Sequence, residues 1–314
     1  MEHRTLGNSD LSVSVVGLGC NNFGGRLDLD ASEKVIHRAL DAGLNLFDTA
    51  DIYGNKGGSE EILGKVLGKR RKDIVLATKF GMAMSDTDKG GKAAYVRKAI
   101  EASLTRLKTD VIDLYQMHAP DDSTPIEETL IALNQLVREG KVRFIGCSNF
   151  SAKQLREALE VSDRHGLATF VSFQDEYSLL DRKIEDDVLP EGRDSGLGLL
   201  PYFPLASGLL SGKYSREHIP QGTRFAGSTG LQEKYMTDTN WSMIEALERF
   251  ARDRDHSLLD LAFAWLLAKS PTASVIAGAT KAEQIDGNAA AGAWSLSEKE
   301  VAEIDRISSG QLEE

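Results

Sequence analysis

From about residue 12 the chain repeats one pattern: a short apolar, β-branched or aromatic run, a polar loop, then a longer stretch of helical period. The short runs fall at 13–20, 45–50, 74–80, 112–118, 142–149, 170–174, 198–205 and 274–279. Helical stretches lie between them near 31–42, 58–68, 93–107, 125–139, 151–165, 182–195 and 241–268, and a last one starts at about 281. Nearly continuous apolar strands that alternate with helices predict a parallel sheet covered by those helices, because parallel neighbours need crossover connections. Eight such units, roughly 25 to 35 residues apart, predict an α/β fold with one (β/α)8 TIM barrel as a single domain over residues 1–314. No Pro/Gly/Ser-rich tract or shift of composition marks a second domain in the sequence.

Two stretches fall outside the repeat. Residues 4–10 predict an N-terminal hairpin that plugs the barrel floor, and the run 206–239, after the seventh strand, predicts a long loop that acts as a lid. Within the repeat, 151–165 is well punctuated: Ser151 can cap it, Gln154 completes a capping box and Gly166 follows the last turn. The competing architecture is an open doubly wound sheet with a dinucleotide fingerprint. It fails, because Gly17-Leu18-Gly19 is followed by Asn22 where a third glycine should stand, and no acidic residue ends a matching second strand. The stretch Gly208 to Lys213 likewise misses the spacing of a phosphate-binding P-loop.

Composition narrows the functions. With 48 Asp+Glu against 37 Lys+Arg, the net charge of −11 offers nothing to a nucleic-acid backbone. The first residues lack the apolar run of a signal peptide, and no stretch approaches the ~18 to 20 apolar residues that span a bilayer, so a cytoplasmic protein without a membrane partner is expected. Cys20 and Cys147 are far apart and outside any CxxC, which predicts free thiols, and the six histidines form no metal-ligand cluster.

A barrel of this type carries its chemistry where the strands end and their loops converge. The second strand ends at Asp48, with Tyr53 a few residues into its loop; the third ends at Lys79 and the fourth at His118. Taken singly, each has a plain structural reading: a turn cap, a half-solvated lysine, a loop aromatic, a rim histidine. Together on one rim they describe carbonyl reduction or its reverse. An ammonium lowers the pKa of a neighbouring phenol, a carboxylate holds that ammonium charged, and a neutral imidazole donates to an oxygen that gains charge. The remaining ends carry polar or flat groups: Ser148 and Asn149, Gln174, Tyr202, and the stretch 278–281.

At these residues the chain resembles the aldo-keto reductases. The matching text is Phe47-Asp48-Thr49-Ala50-Asp51-Ile52-Tyr53-Gly54, Ser59-Glu60-Glu61-Ile62-Leu63-Gly64, Ala77-Thr78-Lys79, Asp113-Leu114-Tyr115-Gln116-Met117-His118, Ile145-Gly146-Cys147-Ser148-Asn149-Phe150 and Tyr202-Phe203-Pro204-Leu205. The resemblance implies a barrel that uses a nicotinamide dinucleotide without a Rossmann domain and reduces aldehydes or ketones reversibly. By the same match Tyr53 protonates the carbonyl oxygen, Lys79 and Asp48 adjust its acidity, and His118 orients the substrate. Ser148, Asn149 and Gln174 would hold the carboxamide and Tyr202 would stack on the ring. Ser207, Gly208 and Lys213 belong to the segment that folds over the pyrophosphate, while Thr280, Gln284 and Asn288 stand where relatives meet the adenosine 2′-phosphate. Gly19, Cys20, Asn21, Phe203, Pro204, Leu205, Gly278 and Lys281 complete the implied cofactor contacts.

NADPH is expected in preference to NADH, with Lys213 and Lys281 as the only nearby cations. Phe203 replaces the small polar residue common in relatives after the stacking tyrosine, and Ile52, Phe80 and Met82, with contributions from the 206–239 loop, are the expected substrate walls. An alternative is a cofactor-binding redox sensor or regulatory subunit: the runs Phe23-Gly24-Gly25 and Thr124-Pro125-Ile126-Glu127-Glu128-Thr129-Leu130 look like those of the channel β-subunits. A lyase or isomerase on the same barrel is disfavoured, since enolisation generally wants a carboxylate or lysine base beside an oxyanion site.

Overall fold

The chain begins with an antiparallel pair, β1 (His3–Thr5) and β2 (Ser12–Ser14), in the computed structural model, which describes residues 1–309. The one-domain expectation runs to residue 314, and 310–314 lie outside the described residues. Eight parallel strands follow in ring order: β3 (Val16–Gly19), β4 (Leu46–Asp48), β5 (Val75–Phe80), β6 (Ile112–Met117), β7 (Val142–Ser148), β8 (Phe170–Gln174), β9 (Gly198–Leu199) and β10 (Val275–Gly278). β10 pairs with β3, and the last gap is bridged by Leu199 N–H to Pro271 O at 3.0 Å, Ala273 N–H to Leu199 O at 2.9 Å and Ile276 N–H to Pro201 O at 3.0 Å. The sheet thus curls on itself as the (β/α)8 pattern requires.

The helices are α1 (Leu29–Asp41), α2 (Tyr53–Val66), α3 (Ala93–Leu107), α4 (Ile126–Arg138), α5 (Ala152–His165), α6 (Val188–Asp194), α7 (Thr229–Tyr235), α8 (Asp238–Arg252), α9 (Leu258–Ala268), α10 (Ala282–Ala291) and α11 (Glu298–Ser308). α5 has the expected capping box, and Gly166 ends it at φ +59°. Four expectations need correction. The run 13–20 is two strands, because 12–14 turns away to pair with β1. The stretch 182–195 is a 3-10 turn, Lys183–Asp186, followed by α6, with Asp187 capping the latter. The single helix over 241–268 is two, α8 and α9, separated where Asp255 is left-handed and Ser257 opens a new capping box with Asp260. The stretch 206–239 is a 3-10 turn, Ala206–Ser211, an irregular segment and α7, rather than loop throughout.

The core has two parts. One lies between the strands and the helices; the other fills the lower barrel with Leu46, Val75, Ala77, Leu114, Val171, Leu200 and Ile276, closed from below by Leu6, Leu11 and Val13. The hairpin plugs the floor as expected, so closely that a Cβ on Gly7 would lie 2.1 Å from Val171 O. Alternation along the strands then dictates what stands above this plug. Leu46 is followed at the next inward position by Asp48, Ala77 by Lys79, and Leu114 by Gln116.

Candidate active site

The strand ends open into a cleft of about 840 Å³. Asp48, Tyr53 and His118 line it, as does every residue the resemblance marks for cofactor contact, from Gly19, Cys20 and Asn21 to Gln284 and Asn288. Lys79 does not line it, being fully buried beneath. Ile52, Phe80 and Met82 do not line it either, and Phe80 is fully buried against Tyr115, whereas the 206–239 stretch lines it from Ser207 to Arg224.

β4 and β5 place Asp48 and Lys79 side by side, and Lys79 Nζ donates to Asp48 Oδ2 at 2.5 Å and to Thr49 O at 3.0 Å. The second carboxylate oxygen accepts from Gln116 Nε2 and Gln174 Nε2, both at 3.1 Å. This carboxylate is therefore saturated by donors, which a buried charge requires. Burial disfavours the Lys79 charge, yet Asp48 and Tyr53 outweigh it and hold the ammonium above its ordinary pKa. Lys79 Nζ lies 5.2 Å from the Tyr53 ring centre, and the His118 ring meets that of Tyr53 edge-on at 5.6 Å.

The acidity of Tyr53 departs from expectation. Burial pushes the phenol up, and this exceeds the opposite pull of Lys79, so the hydroxyl sits above its ordinary value rather than below it. At neutral pH it is a proton donor. Burial and the neighbouring Lys79 charge draw His118 down to about 3, so its imidazole is neutral, and its buried Nδ1 has no partner among the described residues.

Asn149 joins the other wall together. It is left-handed at φ +61°, donates from Nδ2 to His118 O at 2.9 Å and Ser148 Oγ at 3.0 Å, and accepts from the Tyr202 hydroxyl at 2.8 Å. Ser148 Oγ donates to Gln174 O at 2.8 Å. After Tyr202 the backbone is left-handed at three non-glycine positions, Phe203, Ala206 and Ser207, a conformation found most often where function constrains the chain. At the far end Gln284 Oε1 accepts from the N–H groups of Thr280 at 2.7 Å and Lys281 at 3.2 Å.

The sequence reading missed several residues. Gln116 was legible, since it stands two residues before His118 on the same strand face. Arg26 and Arg224 were not: they face the cleft from the β3–α1 loop and the long loop after β9, and neither has an ion pair among the described residues. Lys213 and Lys281 are therefore not the only cations at the cleft. Burial and then Arg26 draw the Arg224 guanidinium below its ordinary value.

A second buried cluster lies behind the site. Asp51 donates its N–H to Lys79 O at 3.0 Å and accepts from the Tyr95 hydroxyl at 3.2 Å, while its Oδ1 has no partner among the described residues. Glu60 accepts from Thr78 at 2.5 Å and from Arg106 at 2.7 Å. Burial, and next Glu60, lift Asp51 to about 7. Between about pH 4 and 7 the folded protein therefore keeps a proton that the unfolded chain has lost, and stability falls as pH rises through that window. Asp51→Asn should flatten this fall by about 2 kcal/mol in urea unfolding compared at pH 5 and pH 8. Asp175, also lifted to about 7, leaves a remainder.

No cluster of potential metal ligands and no helix long and apolar enough to cross a membrane occurs among the described residues. Both cysteines are free and buried. The sequence matches the Aldo/keto reductase family over residues 15–309. The chain belongs to the aldo/keto reductase family. It is 38% identical over 296 residues to a protein of Oryza sativa subsp. japonica named probable voltage-gated potassium channel subunit beta, covering 92% of this chain and 90% of that one. Identity is 39% over 297 residues to the uncharacterized oxidoreductase YrpG of Bacillus subtilis (strain 168), with 91% and 89% covered. It is 32% over 327 residues to the L-glyceraldehyde 3-phosphate reductase of Escherichia coli (strain K12), with 99% and 94% covered. Membership makes the chain an oxidoreductase of a carbonyl-reducing family whose members generally use nicotinamide cofactors.

Proposed function

We propose that this chain is a cytoplasmic, single-domain NADPH-dependent reductase of aldehydes or ketones, with Tyr53 as general acid, Lys79 and Asp48 controlling it, and His118 orienting the carbonyl. The observation that carries this reading is the buried Lys79–Asp48 pair, directed at a protonated Tyr53 beside a neutral His118. The cleft suits the dinucleotide. Gly208, whose backbone is left-handed at φ +105°, lies beside Lys213 Nζ and the Tyr214 hydroxyl, and that hydroxyl is buried with no partner among the described residues. Among the described residues Arg26, Arg224 and Lys213 have no carboxylate partner, and all three line the cleft, which suits a pyrophosphate and a 2′-phosphate.

When bound, the dinucleotide supplies hydride to the carbonyl carbon. Tyr53 gives its proton to the carbonyl oxygen, and the Lys79 ammonium stabilises the phenolate left behind. Asp48 keeps that ammonium charged and fixed through its contact at 2.5 Å. His118, neutral, donates a hydrogen bond to the oxygen as negative charge grows on it. Asn149 and Ser148 supply the donor and acceptor pair that a carboxamide needs, and Tyr202 supplies the flat face.

Arg224→Gln is expected to weaken NADPH about tenfold or more and to reduce the salt dependence of binding, as for loss of a charge-assisted contact to phosphate. Cofactor fluorescence titration reads both. Absorbance loss at the nicotinamide band on addition of aldehydes and ketones tests the reaction itself; failure with every carbonyl despite tight binding would sink it. The likeness to proteins named potassium channel β-subunits favours one second reading, a redox sensor with slow turnover. Stopped-flow cofactor release separates the two, since an enzyme must release on each cycle and a sensor retains.

A further inference from the structure

Two of the cations at the cleft, Lys213 and Arg224, belong to the long stretch after β9, and each is followed by a buried aromatic residue, Tyr214 and Phe225. These two rings meet edge-on at 5.3 Å, and Phe225 meets Tyr235, the last residue of α7, edge-on at 6.2 Å. Gln232 of α7 donates from Nε2 to Phe225 O at 2.7 Å. Residues 213–228 and α7 are thus packed as one unit, which moves together or gives up buried aromatic contact.

Among the described residues, polar contacts attach this unit in two places. One is α8, where Arg216 meets Asp238 at 2.9 Å and Glu245 at 2.7 Å, and Asn240 Nδ2 donates to Tyr235 O at 2.8 Å. The other is Glu176, whose Oε1 accepts from the Tyr235 hydroxyl at 2.5 Å and from Lys234 Nζ at 3.2 Å. The two contacts to Glu176 differ in weight. Tyr235 is 3% exposed and makes a charge-assisted hydrogen bond away from water, whereas the Lys234 side chain is 47% exposed and its ion pair adds little. Glu176 is itself fixed by the strand ends. It forms a parallel bridge with Tyr202, whose N–H donates to Asp175 O at 3.0 Å and whose carbonyl accepts from the Tyr177 N–H at 3.3 Å. One stretch of backbone therefore positions Tyr202 on the cleft wall and anchors the unit that carries Lys213 and Arg224.

Resting on the function proposed above, we propose that Glu176 is a positioning residue that latches this unit over the bound dinucleotide, through Tyr235, and so sets how fast the cofactor leaves. Release requires 213–228 to lift from the cleft. Lifting it together with α7 breaks the contact between Glu176 and Tyr235; lifting it without α7 pulls Phe225 out of its packing. Glu176 controls the first route. Glu176, Lys234 and Tyr235 do not line the cleft, so the latch acts on the residence of the cofactor and leaves the hydride step alone.

The test compares two rates: NADPH release, followed by fluorescence on displacement with excess NADP⁺, and single-turnover hydride transfer to a carbonyl that the unmodified protein reduces. Tyr235→Phe should speed release about tenfold, the size expected when a hydrogen bond to a charged group is lost, while hydride transfer stays within about twofold. Glu176→Gln keeps a weaker acceptor and should speed release about threefold; it also covers the case in which Tyr235→Phe does not fold. The double variant should release within about twofold of Tyr235→Phe alone, because both changes act on one contact. The salt dependence of NADPH binding should match that of the unmodified protein, in contrast to Arg224→Gln, since no cation at the phosphates is removed. Unchanged release in both single variants, fully additive effects in the double variant, or hydride transfer that falls as release quickens would each overturn the latch and leave the reductase reading standing. Failure of the unmodified protein to bind either NADPH or NADH would instead remove the reductase reading, and the inference with it.

Discussion

Tyr53→Phe is expected to lower kcat for carbonyl reduction by about 100-fold or more while leaving NADPH affinity within about twofold, the pattern for loss of a general acid that contacts only the reacting oxygen. The Tyr53 hydroxyl is protonated and, unlike that of Tyr202, which donates to Asn149 at 2.8 Å, lies beside both Lys79 and His118. His118, drawn to about 3, has no proton to give as an imidazolium above pH 5, and Lys79 is committed to Asp48 at 2.5 Å. The pH profile gives a second reading of the same assignment. Because burial holds Tyr53 above the ordinary phenol value, kcat for reduction should stay level from about pH 6 to 9. A break near 6.5 would assign the proton to His118 and remove Tyr53 from its role. Equal turnover by the Phe variant would do so too.

Much of this arrangement is legible in the chain because strand alternation is local. Once 45–50, 74–80 and 112–118 are read as strands of one barrel, period-two geometry sends Asp48, Lys79 and Gln116 to the same interior, and His118 follows on the rim. The long loop is a different case. Arg224 comes to the cleft through a segment of 3-10 turn and irregular chain, and no periodicity in 206–228 says which side chains turn inward. That is why two cations at the cleft went unseen while Lys213 and Lys281, nearer recognisable elements, were noted.

The helix boundaries show a related limit. In 241–268 the apolar period continues across the break between α8 and α9, and only the Ser257-to-Asp260 capping box marks it. The sign of the Tyr53 shift was missed for another reason. Residue types give the neighbouring charge but not the depth of burial, and here burial is the larger influence.

Lys79→Met is expected to cost about 3 kcal/mol or more in urea unfolding and to lower kcat by about 100-fold or more, because it strands a buried carboxylate and removes the charge beside Tyr53. Asp48 is 3% exposed and Lys79 is fully buried, so water cannot replace the lost partner. Gln116 and Gln174 continue to donate to Oδ1 at 3.1 Å, but neutral amides do not balance a full charge. The two losses have different origins, and the double variant Asp48→Asn with Lys79→Met separates them. With no charge left to strand, most of the stability should return. Activity should not return, since no cation then stands beside the phenolate that Tyr53 becomes on giving up its proton. A double variant that regained turnover would show that the pair serves only to hold the strands together. One that stayed as unstable as Lys79→Met alone would show that packing, not charge, makes Lys79 necessary.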